Sequence, residues 1–264
     1  MTEAPTAGRI LAARLDAIDD PGDRIRGVAV GDELVIVETE SGHAGVAMCP
    51  EATVPPVDGE SAFAVAARGA ASEEPARRAV GLAALNAIDP PDRIRPGLDP
   101  FRRLDPSVER VAMVGLFAPV LKRLDAAHVD VFERDPAAMT VPADLATGLD
   151  VTLHSPQEAV DSLPGAEVVY VTGSTLVWGG IETYLRAARP EQTIVLVGAS
   201  ASFTPDPLFE AGISVVAGAS VQDPTAVRRA IADDQSEADL HDGRLEKWGV
   251  VDPDLADVPG LDLD

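Results

Sequence analysis

The pattern of hydrophobic and polar positions divides the chain into two parts with different rhythms. In the first part, apolar residues recur every three or four positions, which predicts helices over residues 7–18, 61–68 and 73–88. Short apolar runs bounded by turn residues predict strands over residues 24–30, 33–39 and 44–48. Helices gathered around a few strands favour an α+β domain, which we assign to residues 1–90.

A proline-rich segment ends this first part. Residues 89–101 contain four prolines and one glycine. Proline lacks a backbone N–H and disfavours helix at the residue before it, so the segment predicts a connection. We therefore place a linker at residues 91–105.

Strands and helices alternate after the linker. Apolar runs predict strands over residues 111–114, 129–132, 168–171, 194–197 and 213–217. Helical spacing predicts helices over residues 120–127, 180–188, 207–211 and 224–231. A further helix is predicted to begin at Ser155, which forms a capping box with Glu158. This alternation is typical of a parallel sheet covered by helices on both faces, which we assign to residues 106–250.

The C-terminal residues are acidic and weakly patterned. Leu240, Leu245 and Trp248 are spaced as one helix docked on the rest of the molecule. We expect residues 251–264 to form an acidic tail that is loosely held.

The charge of the chain limits its partners. The formal net charge is −23, with 44 acidic and 21 basic residues, and only Lys122 and Lys247 are lysines. A field of this sign repels nucleic acid and anionic membranes, so we expect neither as a partner. Two explanations remain: an acidic surface that binds cations or a basic partner, and adaptation to a salt-rich cytoplasm. We favour the second, because dispersed acids with almost no lysine resemble the composition of halophilic proteins.

Other global features favour a cytoplasmic protein. No apolar run reaches the roughly 18 residues of a membrane helix, and the N-terminus shows no pattern of a signal peptide. Cys49 is the single cysteine, which excludes an internal disulfide.

Small polar residues follow several predicted strands at the edge where parallel sheets bind ligands. Glycine allows a close approach to the backbone, and the helix that follows offers N–H groups. These residues are Thr172, Gly173, Ser174 and Thr175 after the third strand, and Gly198 and Ser200 after the fourth. The alternative is that the hydroxyls only cap helices.

An acidic residue, Glu133, follows the second strand and lies 18 residues after Gly115. An acid at this place often binds the ribose diol of a nucleotide or adenosyl group. However, the turn from Gly115 to Pro119 is not G-x-G-x-x-G, and Pro119 removes a backbone donor. A nucleotide is therefore the less favoured ligand, and a P-loop sequence is absent.

Candidate metal ligands are few. His43 and Cys49 lie near each other with Met48, and a soft metal could use this set. The alternative, a buried cysteine beside a surface histidine, is favoured. Glu60 could serve as an acid, a base or a ligand, or could simply begin a helix.

Several segments together resemble the putative heavy-metal-chelation family of prokaryotes. They are GESAFAVAARGAASEEPARRAVGLAALNAI, RVAMVGLFAPV, VFERDP, VVYVTGSTLVWGG and LVGASASFTPDPLFEAGISVVAGASVQDP. The resemblance covers residues 8 to 248. It implies an N-terminal domain like that of enolase, a Rossmann-like second domain, and a site between the two.

The resemblance also implies which residues belong to the site. Motif positions match at Asn86, Phe117, Pro119, Glu133, Thr172, Gly173, Thr175, Gly198 and Ser200. Two positions depart from the family pattern. Trp178 replaces the family's asparagine, which removes an amide, and Ala199 replaces a proline.

Three functions follow as hypotheses. The first is binding or chelation of a heavy metal or metal complex between the two domains. The second is an enzyme that uses a nucleotide or adenosyl cofactor at the strand ends, and the third is a non-catalytic scaffold. The expected partner is a small molecule or metal, and the sequence leaves open catalysis, the identity of the metal and a homo-oligomeric state.

Overall fold

Three antiparallel strands and three helices form the N-terminal part in a computed structural model that describes residues 4–50, 53–121, 124, 126–141 and 148–263. The helices and strands are α1 (Ala7–Asp16), β1 (Ile25–Val30), β2 (Leu34–Thr39), β3 (Ala44–Met48), α2 (Ala62–Ala70) and α3 (Pro75–Ile88). The sheet order is β1-β2-β3. Side chains cap two of the helices, because Thr6 accepts a hydrogen bond from the Arg9 N–H and Ser61 accepts one from the Ala64 N–H.

The remaining strands form one eight-stranded sheet. They are β4 (Arg95–Pro96), β5 (Arg110–Val114), β6 (His128–Phe132), β7 (Asp150–His154), β8 (Val168–Thr172), β9 (Thr193–Val197), β10 (Val215–Val221) and β11 (Leu245–Val251). In the order β4-β11-β10-β9-β8-β5-β6-β7, the strands from β10 to β7 are parallel, and β11 is antiparallel to both of its neighbours, β10 and β4. The expected fold class, an α+β part followed by a largely parallel sheet, is confirmed.

Short helices connect the strands of the second sheet. They are α4 (Ala118–Leu121), α5 (Ala159–Ser162), α6 (Thr175–Trp178), α7 (Ile181–Ala187), α8 (Asp206–Glu210), α9 (Pro224–Ala232) and α10 (Glu237–Leu240), with 3-10 turns at Pro100–Arg102, Pro156–Glu158, Leu163–Gly165 and Ala199–Ala201. The expected capping box of Ser155 and Glu158 is confirmed. Residues 122, 123 and 125 of the helix expected over 120–127 lie outside the described part of the chain.

The two parts of the chain share hydrophobic packing. All six residues of β2 are buried. Val35 and Val37 pack in one cluster with Leu82 and Leu85 of α3, whereas Leu34 and Ile36 pack in another with residues of α9. The small sheet is therefore covered on one face by its own helix and on the other by a helix of the second part.

Two expectations for the C-terminal region are wrong. Leu245 and Trp248 lie in β11, which pairs antiparallel with β10, and not in a docked helix. The segment forms a strand because pairing with β10 satisfies its backbone hydrogen-bonding groups. Sequence periodicity alone does not indicate this pairing. The tail is not loose either, since Val258 and Leu261 are buried in the core.

Candidate functional site

The order of the parallel strands defines where a ligand would bind. From the free edge, the strands run β7-β6-β5-β8-β9-β10, which is the order of a doubly wound sheet built from two halves. The chain proceeds outward on one side from β5 to β7 and on the other side from β8 to β10. Ligands of such sheets bind outside the carboxyl ends of the strands where the two halves meet, here β5 and β8.

A cavity of about 460 Å³ occupies this place. We call it the switch-point cavity. Its lining comes from the ends of β5, β6 and β8, from the first residue of the 3-10 turn after β7, and from α6, α7 and the turn between them. The lining residues are Val114, Gly115, Leu116, Phe117, Phe132, Glu133, Arg134, Pro156, Thr172, Ser174, Thr175, Trp178, Gly179, Gly180, Thr183 and Tyr184.

Two other depressions of the surface are larger. One of about 700 Å³ lies beside the end of β10 and the start of β11, and one of about 680 Å³ lies beside the linker and Val250. Neither adjoins the meeting point of β5 and β8. We assign the candidate site to the switch-point cavity, because the fold itself directs ligands there.

The carboxylate of Glu133 is fixed by the turn that follows β5. The Leu116 N–H donates a hydrogen bond to Glu133 Oε1 at 2.7 Å. The turn is tight because Gly115 adopts a φ of 84°, and a Cβ at this position would lie 2.9 Å from Thr172 Cγ2. Glycine therefore lets the ends of β5 and β8 approach each other beneath the cavity.

Hydroxyl groups form the floor beside β8. The Thr172 hydroxyl donates to Ser174 Oγ at 3.1 Å, and the Thr175 hydroxyl donates to the Thr172 carbonyl at 2.8 Å. These bonds fix the orientation of the two threonines and leave the Ser174 hydroxyl hydrogen for a ligand.

Aromatic side chains close the cavity on the side of α7. Tyr184 is 6% exposed and packs edge-to-face against Phe132 with ring centroids 5.8 Å apart. Burial, together with the negative charge of Glu133, raises the pKa of Tyr184 to about 12. The guanidinium carbon of Arg134 lies 5.1 Å from the centre of the Trp178 ring, a cation–π contact at the mouth.

The N-terminal part of the chain supports one wall of the cavity. Arg78 of α3 is 8% exposed and donates to the Val177 carbonyl at 3.1 Å, just before the turn of Trp178, Gly179 and Gly180. Its Nε and second terminal nitrogen donate to the Ser72 carbonyl at 3.0 and 2.6 Å. Burial lowers the pKa of Arg78, and nearby Glu73 and Glu182 oppose this effect.

Comparison with known proteins places the chain in a family. A family model described as putative heavy-metal chelation matches residues 100–247, which is more than half of the 264 residues. The chain belongs to this family. A second model with the same description matches residues 13–88 of this family member.

Solved structures of two proteins of unknown function from the DUF364 family are similar to this family member. The protein from Pyrococcus horikoshii is 20% identical, with a TM-score of 0.72 over 93% of this chain and 99% of that one. The protein from Desulfitobacterium hafniense is 17% identical, with a TM-score of 0.69 over 93% and 98%. At these identities the similarity establishes the fold. No curated protein matches this family member significantly.

The structure brings together five of the residues predicted from sequence. Phe117, Glu133, Thr172, Ser174 and Thr175 all line the switch-point cavity. Pro119 lies in α4, and its side chain is outside the described part of the structure.

Gly173 faces another loop and not the cavity. Its N–H donates to the Val197 carbonyl at 2.7 Å, and a Cβ would lie 3.3 Å from the Ala201 nitrogen. Gly198 has a φ of 128° and donates to the Ala217 carbonyl at 2.9 Å. Both glycines let the turns after β8 and β9 pack together.

Asn86 and Ser200 hold the two parts of the chain together instead of lining the cavity. The Asn86 amide donates to the carbonyls of Val46 at 2.8 Å and Ala199 at 3.2 Å, and the Met48 N–H donates to Ser200 Oγ at 2.8 Å. Asn86 is 4% exposed. Asn86, which the family resemblance suggests as a site residue, does not line the switch-point cavity.

The remaining candidates lie elsewhere. Glu60 forms an ion pair with Arg68 at 2.6 Å, and His43 Nδ1 lies 3.2 Å from Ser41 Oγ in the turn after β2. Cys49 is buried, which raises the pKa of its thiol to about 11. Within the described residues, no three His, Cys, Asp or Glu side chains are arranged to hold a metal ion.

Sequence reasoning missed Arg134, Trp178, Thr183 and Tyr184 as lining residues. The periodicity of α7 could have shown that Thr183 and Tyr184 share the turn that follows Gly180, next to the end of β8. Nothing in the sequence indicates the stack of Arg134 on Trp178, because the two residues follow β6 and β8, which lie on either side of β5 in the sheet.

Proposed function

We propose that this protein binds a small organic molecule in the switch-point cavity and that a heavy metal reaches it as part of that molecule. The observation that carries the proposal is the lining of the cavity. It combines the carboxylate of Glu133, several hydroxyls and four aromatic rings, and so suits an organic ligand with polar groups.

The same lining is a poor site for a bare heavy metal. Soft metals prefer thiolate and imidazole ligands. The described lining residues include neither cysteine nor histidine, and Glu133 is the one carboxylate among them. A complex that brings its own ligands to the metal fits this set of residues and agrees with the description of the family.

A nucleoside or adenosyl cofactor is the second candidate. The observation in its favour is Glu133, which ends the second strand of a doubly wound sheet 18 residues after Gly115. In related sheets an acid at this place accepts hydrogen bonds from a ribose diol. An enzyme that uses such a cofactor would bind it in the same cavity.

The bound material itself tests the proposal. The protein would be purified in high-salt buffer, and the metal content and released small molecules would be measured by elemental analysis and mass spectrometry. We expect metal and organic molecule in equal amounts, or an adenosyl compound without metal if the second candidate is correct.

Filling the cavity provides the matched control. Thr183→Trp places a large ring in the cavity, whereas Thr183→Val keeps its size. The bound material should be lost from the tryptophan variant and retained by the valine variant. Metal bound without an organic molecule, or retained after Thr183→Trp, would overturn the proposal.

A further inference from the structure

We propose that Glu133 makes the switch-point cavity selective for ligands that carry no phosphate group at the turn after β5. Its carboxylate accepts the N–H of Leu116 in the turn after β5, which is the turn that binds a phosphate in many doubly wound sheets. The inference rests on the proposed function, since it assumes that the ligand enters this cavity, and it narrows the class of that ligand.

Two backbone donors of the turn, the N–H groups of Gly115 and Leu116, are already used. Phosphates bind at such turns through free N–H groups at the start of the following helix. Here the Gly115 N–H donates to the Phe132 carbonyl at 2.9 Å, and the Leu116 N–H donates to Glu133 Oε1 at 2.7 Å. Pro119, in the first turn of α4, has no N–H to offer.

Electrostatic repulsion also disfavours a phosphate at the turn after β5. A phosphate placed at this turn would displace Glu133 from the Leu116 amide or lie beside a like charge. Among the described lining residues Arg134 is the cation that could attract an anion, and its guanidinium is stacked on Trp178. The turn therefore presents a fixed negative charge to a ligand.

The groups that remain suit a neutral or cationic ligand with hydroxyl or amino groups. Glu133 can accept hydrogen bonds from such groups, and Ser174 can donate one. Tyr184 offers a hydroxyl and not a charge, because its raised pKa of about 12, like the ordinary tyrosine value, lies well above neutral pH. Phe117 and Phe132 provide apolar surface for a ring. A phosphate-free nucleoside and an uncharged metal complex both meet this description.

Adenosine and AMP are matched probes because they differ by one phosphate, and inorganic pyrophosphate is a probe without a base. Their binding to the wild type and to Glu133→Gln would be measured by titration calorimetry at one high salt concentration. Glutamine keeps the acceptor for the Leu116 N–H and removes the charge. Asp135→Asn is the control, since it removes a charge from an exposed neighbour that does not line the cavity.

We expect AMP and pyrophosphate to bind Glu133→Gln at least tenfold more tightly than the wild type or Asp135→Asn. This gain supports the proposal even if adenosine binds none of the proteins. Wild-type protein that binds AMP as tightly as Glu133→Gln does, or a glutamine variant that gains no affinity for either probe, overturns it. The proposed function fails separately, through the co-purified material and the Thr183 variants.

Discussion

Asp130 is the most completely buried acid in the described part of the chain, and one arginine and two histidine side chains surround its carboxylate. It is 0% exposed in the middle of β6. Arg110 Nε lies 2.7 Å from its Oδ2, while His154 Nε2 and His128 Nε2 lie 2.7 and 3.1 Å from its Oδ1. Burial alone would raise the pKa of Asp130, but these hydrogen bonds outweigh burial and lower it.

Asp130→Asn should destabilise the fold by about 3 kcal/mol at neutral pH, because it leaves Arg110 without its buried partner. The cost lies at the low end for a buried pair, since the Arg110 side chain is 41% exposed. Because its pKa is lowered in the folded state, the ionised Asp130 carboxylate stabilises the fold at pH values above its ordinary pKa of 3.8. This stabilisation is lost as the pH falls through the pKa of the folded state. Urea unfolding from pH 7 to pH 3 should therefore show the difference from wild type shrinking at the acid end. An equal loss in the exposed control Asp161→Asn would contradict this account.

For individual residues, the sequence is most informative about the cavity lining where a residue directly follows a strand. Glu133 and Thr172 both line the switch-point cavity, because the end of a parallel strand fixes which edge of the sheet they occupy. Asn86 and Ser200 do not line the cavity, because the direction of a buried side chain depends on packing between segments more than 110 residues apart. The Asp130 group was not predicted, since its members come from three strands and have no characteristic spacing.

Among the elements, the ones predicted most accurately have a strong periodicity of their own. The structure has α3 at Pro75–Ile88 and β3 at Ala44–Met48, close to the expected bounds. By contrast, β7 and β11 were missed, because their residues are only partly apolar and become strands by pairing with β6 and β10. Strand formation in these two segments depends on the neighbouring strands of the sheet more than on the segments themselves.

Arg78 links α3 to the turn between α6 and α7, so its removal tests whether one element supports another. Arg78→Met should lower the free energy of unfolding by about 2 kcal/mol, because two carbonyls lose a charged donor. Arg78→Lys should recover only part of this, since one ammonium cannot match the guanidinium fork. Urea unfolding in high salt measures the effect.

The neighbouring Arg77→Met is the control for this experiment. Arg77 is 61% exposed and pairs only with Glu74 on the surface within the described contacts, so its loss should cost less than about 1 kcal/mol. If Arg77→Met and Arg78→Met were equally stable, the wall of the cavity would not depend on α3.

The whole molecule is one continuous packing of its two sheets. Buried residues from α1, β2 and α3 share a cluster with residues of β5, β8 and β10. Arg14 of α1 binds Asp89 through two bonds of 2.7 Å, and the Asp89 carbonyl accepts the Thr204 N–H at 2.9 Å. Within the described residues, no helix is long and apolar enough to cross a bilayer. The lining of the switch-point cavity comes from the second part of the chain, and Arg78 of the first part supports it through its bond to the Val177 carbonyl.

The net charge of the chain affects the stability of the whole molecule. Even if each of the 21 basic residues paired with one acid, 23 of the 44 acids would remain in excess. Their mutual repulsion favours expansion of the chain, and salt reduces it because the Debye length falls from about 10 Å at 0.1 M to about 3 Å at 1 M. We therefore expect the melting temperature to rise steeply as KCl is added and the fold to weaken in dilute buffer.

Replacing exposed acids distinguishes screening from the general effect of excluded solutes. The triple variant Asp19→Asn, Asp161→Asn, Glu191→Gln removes three exposed charges without changing the core. If repulsion limits stability, this variant melts at a higher temperature than wild type at low salt and gains less from added KCl. Sucrose, which stabilises by exclusion from the protein surface, should raise both melting temperatures equally. Full thermal stability of the wild type in dilute neutral buffer would show that the acids are not an adaptation to salt, and their excess would then call for a functional explanation such as recruitment of cations toward the site.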